Sequence, residues 1–186
     1  TEEADIISLS LGSDPGSGMA VQSETAQAVE EALEAGIFVV AAAGNRDLGE
    51  NIPDVSVPAN LEGVIAVGTI SRNGGLWSQS ATGSNVDPYT QDNRSYPNQK
   101  PEVTAPGVLL LSTSGSTIEP PYAYSTGTSD STVLVTGALA LILQLHGEEL
   151  RGEDGQIDSE EMNLVKRTLA SSCDKSTIEG EPHDLK

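Results

Sequence analysis

Residues 37–43, Ile-Phe-Val-Val-Ala-Ala-Ala, are apolar at every position and end in Gly44-Asn45. A strand wetted on one face alternates apolar and polar residues. A run apolar on both faces is covered on both sides, the habit of a parallel sheet between layers of helix. Just before it, residues 23–35 carry a helical stripe of Ala26, Val29, Ala32 and Leu33 opposite Glu24, Glu30, Glu31 and Glu34. Ser23 is a good N-cap for that helix, and Gly36 stops it. Residues 6–11 upstream read as a strand ended by Gly12, so the first part of the chain is a strand–helix–strand unit of α/β type.

Further elements extend the pattern. Residues 64–70 make a third strand of the same character, and residues 108–112 are expected to make a fourth. The polar stretch 89–100 reads as a surface excursion. A long helix is expected from about 129 to 146, with Ala138, Leu139, Leu141, Ile142 and Leu145 around most of its circumference, hence a central, buried helix. Asp158 followed three residues later by Glu161 predicts a capping box for a last helix to about residue 172, with Met162, Val165 and Leu169 inward.

Composition narrows the partners. The 186 residues hold 28 acidic and 9 basic side chains, a formal net charge of −19. Such a surface repels phosphate backbones and anionic membranes, so nucleic acid is not expected as a partner. The carboxylates are spread along the chain, which suits a solvated shell adapted to high salt. The longest apolar run, residues 133–145, is about 13 residues, shorter than a bilayer requires, so no membrane partner is expected either. Cys173 is the one cysteine and can make no internal disulfide.

Two segments carry candidate chemistry. Tyr124-Ser125-Thr126-Gly127-Thr128-Ser129 is a small-residue turn leading into the long helix, so Ser129 sits near free backbone N–H groups and the positive end of the helix dipole. A serine there is either an N-cap or a nucleophile. Asn45 follows a buried parallel strand, and the carboxyl ends of such strands line the ligand crevice of open α/β sheets.

Taken together, Ser10-Leu11-Gly12, Ala41-Ala42-Ala43-Gly44-Asn45, Val64-Ile65-Ala66-Val67-Gly68, Trp77-Ser78-Gln79-Ser80, Ala105-Pro106-Gly107 and Gly127-Thr128-Ser129 resemble, in order, the subtilase family of subtilisin-like serine peptidases. The resemblance implies a three-layer α/β fold with a mainly parallel sheet between helices. It implies that Ser129 is the nucleophile and that Asn45 donates its side-chain N–H to the oxyanion. Ser10, Leu11 and Gly12 would bind an extended peptide by strand addition, and Ala43 and Gly44 would wall the primary specificity pocket. The expected function is serine endopeptidase action on peptide or protein substrates through an acyl-enzyme. The expected place is outside the cell, or the cytoplasm of a high-salt organism.

Departures from the family pattern set further expectations. The aspartate and histidine of a triad would lie upstream, so residues 1–186 read as the C-terminal portion of one catalytic domain, incomplete at the N-terminus and partnered by the remainder. Asp130 stands where an apolar residue is usual, and Val133 and Leu134 replace a typical Pro-His pair. A subtilase-fold binding or structural module without catalysis is the alternative. Asn45 opposes a Ser-Glu-Asp peptidase, which would place an aspartate there, and Ser131 opposes an α/β-hydrolase elbow, which would want glycine. No cofactor is expected. Structural calcium is allowed by the family, and residues 150–161 resemble a calcium loop only faintly, since Leu150 and Gly152 fall where oxygen ligands should stand.

Overall fold

The computed structural model describes residues 4–14, 23–47, 54–87, 90–115, 121–152 and 155–174. Four parallel strands, β1 (Ile6–Leu9), β2 (Phe38–Ala42), β3 (Ile65–Ile70) and β4 (Val103–Pro106), form one sheet in that spatial order. Helix α1 (Glu24–Glu34) links β1 to β2, while α2 (Thr128–Arg151) and α3 (Ser159–Ser172) follow a two-stranded antiparallel hairpin, β5 (Leu110–Thr113) with β6 (Tyr122–Ser125).

The layers follow from the twofold alternation along the strands. Phe38 and Val40 of β2, with Ile65 and Val67 of β3, pack against Val135, Leu139 and Leu143 of α2 and Met162 and Val165 of α3. Val39 and Ala41, with Val64 and Ala66, face the other way onto Val29 of α1. Burying both faces of β2 is what its unbroken apolar run anticipates, and the three-layer α/β fold is the one expected. Helix α1 is capped as expected, Ala26 N donating to Ser23 Oγ at 3.2 Å. The Asp158–Glu161 capping box of α3 is also present.

Three expectations need correction. The fourth parallel strand is β4, not residues 108–112. Those residues mostly join the hairpin, where Leu111 pairs with Tyr124. The stretch 89–100 is exposed in its middle, but its end dives inward: Asn98 and Lys100 are buried, as is Glu102 beyond it. Helix α2 is buried on one face only, for Val133, Leu134, Leu141 and Leu145 are exposed. Its inner face contacts the sheet, so one apolar stripe is satisfied and the other is not. At 24 residues α2 is, by length and composition, long and apolar enough to cross a membrane, unlike the shorter run on which the membrane expectation rested. In this fold that helix lies on all four strands of the sheet.

A buried ionic cluster anchors β3 and β4 to α3. Lys100 Nζ donates to Val64 O at 2.7 Å and to Glu102 Oε1 at 2.8 Å. Lys166 Nζ reaches the same Glu102 oxygen at 2.9 Å and also Asn98 Oδ1 at 2.5 Å. Glu102 Oε2 accepts from Ala66 N at 2.8 Å, inside the sheet. One carboxylate thus serves two ammonium groups. Burial pushes the Lys100 ammonium down to about 7; Glu102 works against that fall and Lys166 adds to it.

Candidate active site

The carboxyl ends of β1 and β2 and the start of α2 meet at one cleft of about 480 Å³. Ser10, Leu11, Gly12, Gly44, Asn45 and Ser129 all line it. Ala43 does not: it is fully buried against the α1 side of the sheet, and Ala42 lines the cleft in its place. Alternation along the strand turns consecutive alanines to opposite faces, so one of the pair must leave the cleft.

The asparagine is held in one orientation. Asn45 Oδ1 accepts from the backbone N–H of Thr128 at 3.0 Å and from its hydroxyl at 3.0 Å. A backbone N–H can only donate, so the atom facing it is the oxygen and the amide cannot be turned over. Nδ2 is left with its two hydrogens, which no acceptor takes among the described residues; a Cβ placed on Gly127 would lie 3.1 Å from it. The Thr128 hydroxyl accepts in turn from Gly44 N at 3.1 Å, closing a small network between the end of β2 and the first turn of α2. Thr128 is 1% exposed, so water does not compete for these bonds.

Ser129 is the second residue of α2, and the N-cap is Gly127, without a side-chain cap. The serine hydroxyl is therefore not consumed in capping the helix. It is half-buried and makes one long bond, to Ser10 O at 3.4 Å, while Ser10 Oγ donates back to Ser129 O at 3.2 Å. The Ser129 N–H belongs to the helix's first turn, whose donors have no partner within the helix. Asp130 turns from the cleft toward the hairpin, accepting from Ser125 Oγ at 2.9 Å. Behind it, Ser131 Oγ donates to Ala105 O at 2.7 Å, and Gly127 N donates to Gly107 O at 2.9 Å, tying the serine turn to the end of β4.

Ser56 contributes a part that sequence patterning did not single out. A Cβ on Gly44 would lie 2.2 Å from Ser56 Oγ, and one on Gly12 would lie 2.7 Å from Ser56 Cβ. Gly44 also has φ 108°, a conformation costly for other residues. Ser56 thus forms the floor of the cleft between two glycine walls. It is fixed by Ser56 N donating to Ala43 O at 2.7 Å, and its neighbour Val57 exchanges backbone bonds with Ser13 at 2.9 and 3.0 Å. Nearby, Arg94 grips the fully buried Asp54 through both nitrogens, at 2.9 and 2.6 Å.

No described histidine adjoins Ser129. His146 lies farther along α2, about 25 Å away at 1.5 Å per residue, and it is exposed beside Glu149. His183 lies outside the described residues. Among the described residues no group of three or more His, Cys, Asp or Glu side chains is placed to hold a metal ion. Part of the faint calcium loop, residues 153–154, lies outside them, and Asp158 and Glu161 are engaged in the α3 cap.

Fold and site together define an α/β protein whose crevice presents a serine at a helix start and an oriented amide at a strand end. The model of the subtilase family matches residues 1–184, and the chain belongs to that family. It is 37% identical to subtilisin DY of Bacillus licheniformis over 75% of this chain and 42% of that protein. It is 33% identical to the major intracellular serine protease of Bacillus subtilis (strain 168), over 90% of this chain and 46% of the relative. Among solved structures, the prenylagaramide maturation protease PagA superposes with a TM-score of 0.63 at 26% identity, covering 98% of this chain and 57% of that one. A cold-adapted subtilisin-like serine proteinase superposes at 0.62 with 22% identity, a likeness of fold. The chain spans less than half the length of the two relatives named first.

Proposed function

We propose that this chain is the nucleophile-bearing, C-terminal portion of a serine endopeptidase domain. Ser129 Oγ attacks the carbonyl of a bound peptide and forms an acyl-enzyme, which water then hydrolyses. The observation that carries this is the orientation of Asn45: its oxygen is held by Thr128, so its Nδ2 is the free end, in the same cleft as Ser129. Charge grows on the carbonyl oxygen only as attack proceeds. A donor fixed in advance, beside the Ser129 N–H and the positive end of α2, lowers the barrier more than it tightens binding. The Asp130–Ser125 bond supports catalysis over a binding-only role, because it engages that carboxylate away from the developing oxyanion.

The base that takes the serine proton is supplied by the remainder of the domain. The outer edge of β1 and the exposed Leu134, Leu141 and Leu145 of α2 form a surface suited to that remainder. The substrate is a peptide or protein that lies along Ser10, Leu11 and Gly12 as an added strand. No cofactor takes part, and any calcium would be structural. The acidic surface suits high salt, whether in an external brine or a saline cytoplasm.

Labelling of the whole protein with a fluorophosphonate probe tests the proposal. Ser129→Ala should abolish labelling. Asn45→Ala should slow turnover with little change in substrate binding, by about 10²–10³-fold if it follows the loss associated with this donor in subtilisin itself. Labelling that survives Ser129→Ala would end the proposal, and a whole protein that never labels would favour the binding module.

A further inference from the structure

We infer that Ser131, two residues beyond the proposed nucleophile, is a positioning residue that sets where Ser129 stands relative to the oxyanion donors. This rests on Ser129 acting as that nucleophile. The Ser131 side chain is fully buried, and its Oγ donates to Ala105 O at 2.7 Å. A hydroxyl has one hydrogen, so the 2.9 Å bond between Ser131 Oγ and Thr69 Oγ1 is donated by Thr69. Thr69 is fully buried too, and it is the direct partner of Ala105 across β3 and β4. One hydroxyl on α2 therefore spans two neighbouring strands at a matched pair. Thr69 is itself held, its N donating to Ser80 Oγ at 2.9 Å and its O accepting from Trp77 N at 3.0 Å.

Successive helical residues turn by about 100°, so Ser129 and Ser131 project about 200° apart. One side chain can face the cleft while the other grips the sheet. Gly127 and Thr128 fasten the turn ahead of Ser129, through Gly107 O and Asn45 Oδ1, and Ser131 fastens it behind. The approach is close: a Cβ on Gly107 would lie 2.2 Å from Ser131 Oγ and 2.7 Å from Gly127 O. Seating matters because the two proposed donors stand on different elements, Asn45 Nδ2 at the end of β2 and the Ser129 N–H on α2. They converge on one oxygen only as accurately as the helix is set against the sheet, and donors that must first be brought together lose their effect. A peptide lying along Ser10, Leu11 and Gly12 follows β1 and leaves β3 and β4 untouched, so the tether bears on rate rather than on affinity.

Kinetics of the whole protein test this. Ser131→Ala should lower kcat for a peptide substrate, and the rate of fluorophosphonate labelling, by about tenfold each, with KM changed by less than about twofold. Ser131→Cys, which keeps a weak donor in place, should fall between Ser131→Ala and the unaltered protein. Thr69→Val is the control, for it too strips a partner from a buried hydroxyl but leaves the Ser131–Ala105 bond. Both Ser131→Ala and Thr69→Val should lose stability in urea, and only Ser131→Ala should lose rate. A rate loss in Thr69→Val equal to that in Ser131→Ala, or unaltered kcat and labelling in Ser131→Ala, overturns the inference.

Amide hydrogen exchange separates this from failure of the chemistry. Gly127 N and Thr128 N donate to Gly107 O and Asn45 Oδ1, so their exchange reports the seating of the turn without any reaction. Ser131→Ala should speed both by about tenfold, and Thr69→Val should leave them nearly unchanged. Absence of cleavage and of labelling in the unaltered protein would remove the endopeptidase proposal while leaving the exchange rates to decide whether Ser131 seats the turn. Unchanged exchange in Ser131→Ala would remove the tether alone.

Discussion

Thr128 grips Asn45 twice, its backbone N–H and its hydroxyl both ending on Asn45 Oδ1 at 3.0 Å. The pairing fixes which atom of the amide faces the cleft, and it does so from a residue that is only 1% exposed. In the proposed mechanism Thr128 is therefore a positioning residue. Thr128→Val keeps the shape and the backbone bond but leaves Gly44 N without its acceptor and Asn45 with one anchor fewer. Steady-state kinetics should show kcat down about tenfold, with KM nearly unchanged, the mark of an interaction made in the transition state. Thr128→Ser should restore most of the rate, whereas equal loss in both variants would mean that the hydroxyl does not set the amide.

The floor residue makes a steric prediction. Ser56 sits against both Gly12 and Gly44, so Ser56→Leu has nowhere to expand except the cleft. Peptides with a long side chain before the scissile bond should lose about tenfold or more in kcat/KM, while those with alanine there lose little. A uniform loss across the peptide series would instead point to misplacement of the Asn45 loop.

Lys100 makes stability depend on alkaline pH. Burial holds its folded value near 7 against the usual 10.5. Between those values the unfolded chain binds more protons than the folded one, so this group makes stability rise with pH across that window and contributes no slope below it. Lys100→Met, which leaves Glu102 paired with Lys166, should flatten the rise in urea midpoint between pH 7 and 10. A rise of unchanged steepness would show that Lys100 titrates normally.

Arg94 and Asp54 tie the polar segment around residue 94 to the loop that ends in the cleft floor. Removing only the guanidinium strands a fully buried carboxylate. Arg94→Met should therefore cost about 3–5 kcal/mol in denaturant unfolding. The double change Arg94→Met with Asp54→Leu should recover a large part of that, because the fully buried charge is gone and only the partly exposed Asp87 loses its partner. Equal destabilisation by the single and double variants would mean that shape, not charge, holds this junction.

Local periodicity makes α1, β2 and α3 legible in the sequence, because both helices carry their own N-caps and each of the three has one unambiguous apolar pattern. Strand β4 was hidden. It is four residues long, and the stretch just before it, ending at Lys100, reads as surface, with the charged Glu102 close behind. Both are buried because Lys166, on a helix far along the chain, completes their cluster, and no local pattern reports that partnership. The one-sided burial of α2 was equally invisible, since an apolar circumference does not say which stripe meets the sheet. In the site, Ser129 and Asn45 stood out by motif and element. Ser56 did not, for its importance comes from the approach of two glycine backbones, and a lone serine between two valines advertises nothing. The Ala42–Ala43 exchange turned on strand phase, which a uniform alanine run conceals.

The outer margin of β1 has one further consequence. Ile6-Ile7-Ser8-Leu9 carries no lysine, proline or bulge to discourage another strand, and leucines stand exposed on α2. In a preparation of these 186 residues alone, mutual repulsion between copies with charge −19 is the main safeguard against clumping. Salt weakens that safeguard, so the ions that ease crowding of carboxylates within one copy should also drive copies together, and light scattering should climb with ionic strength.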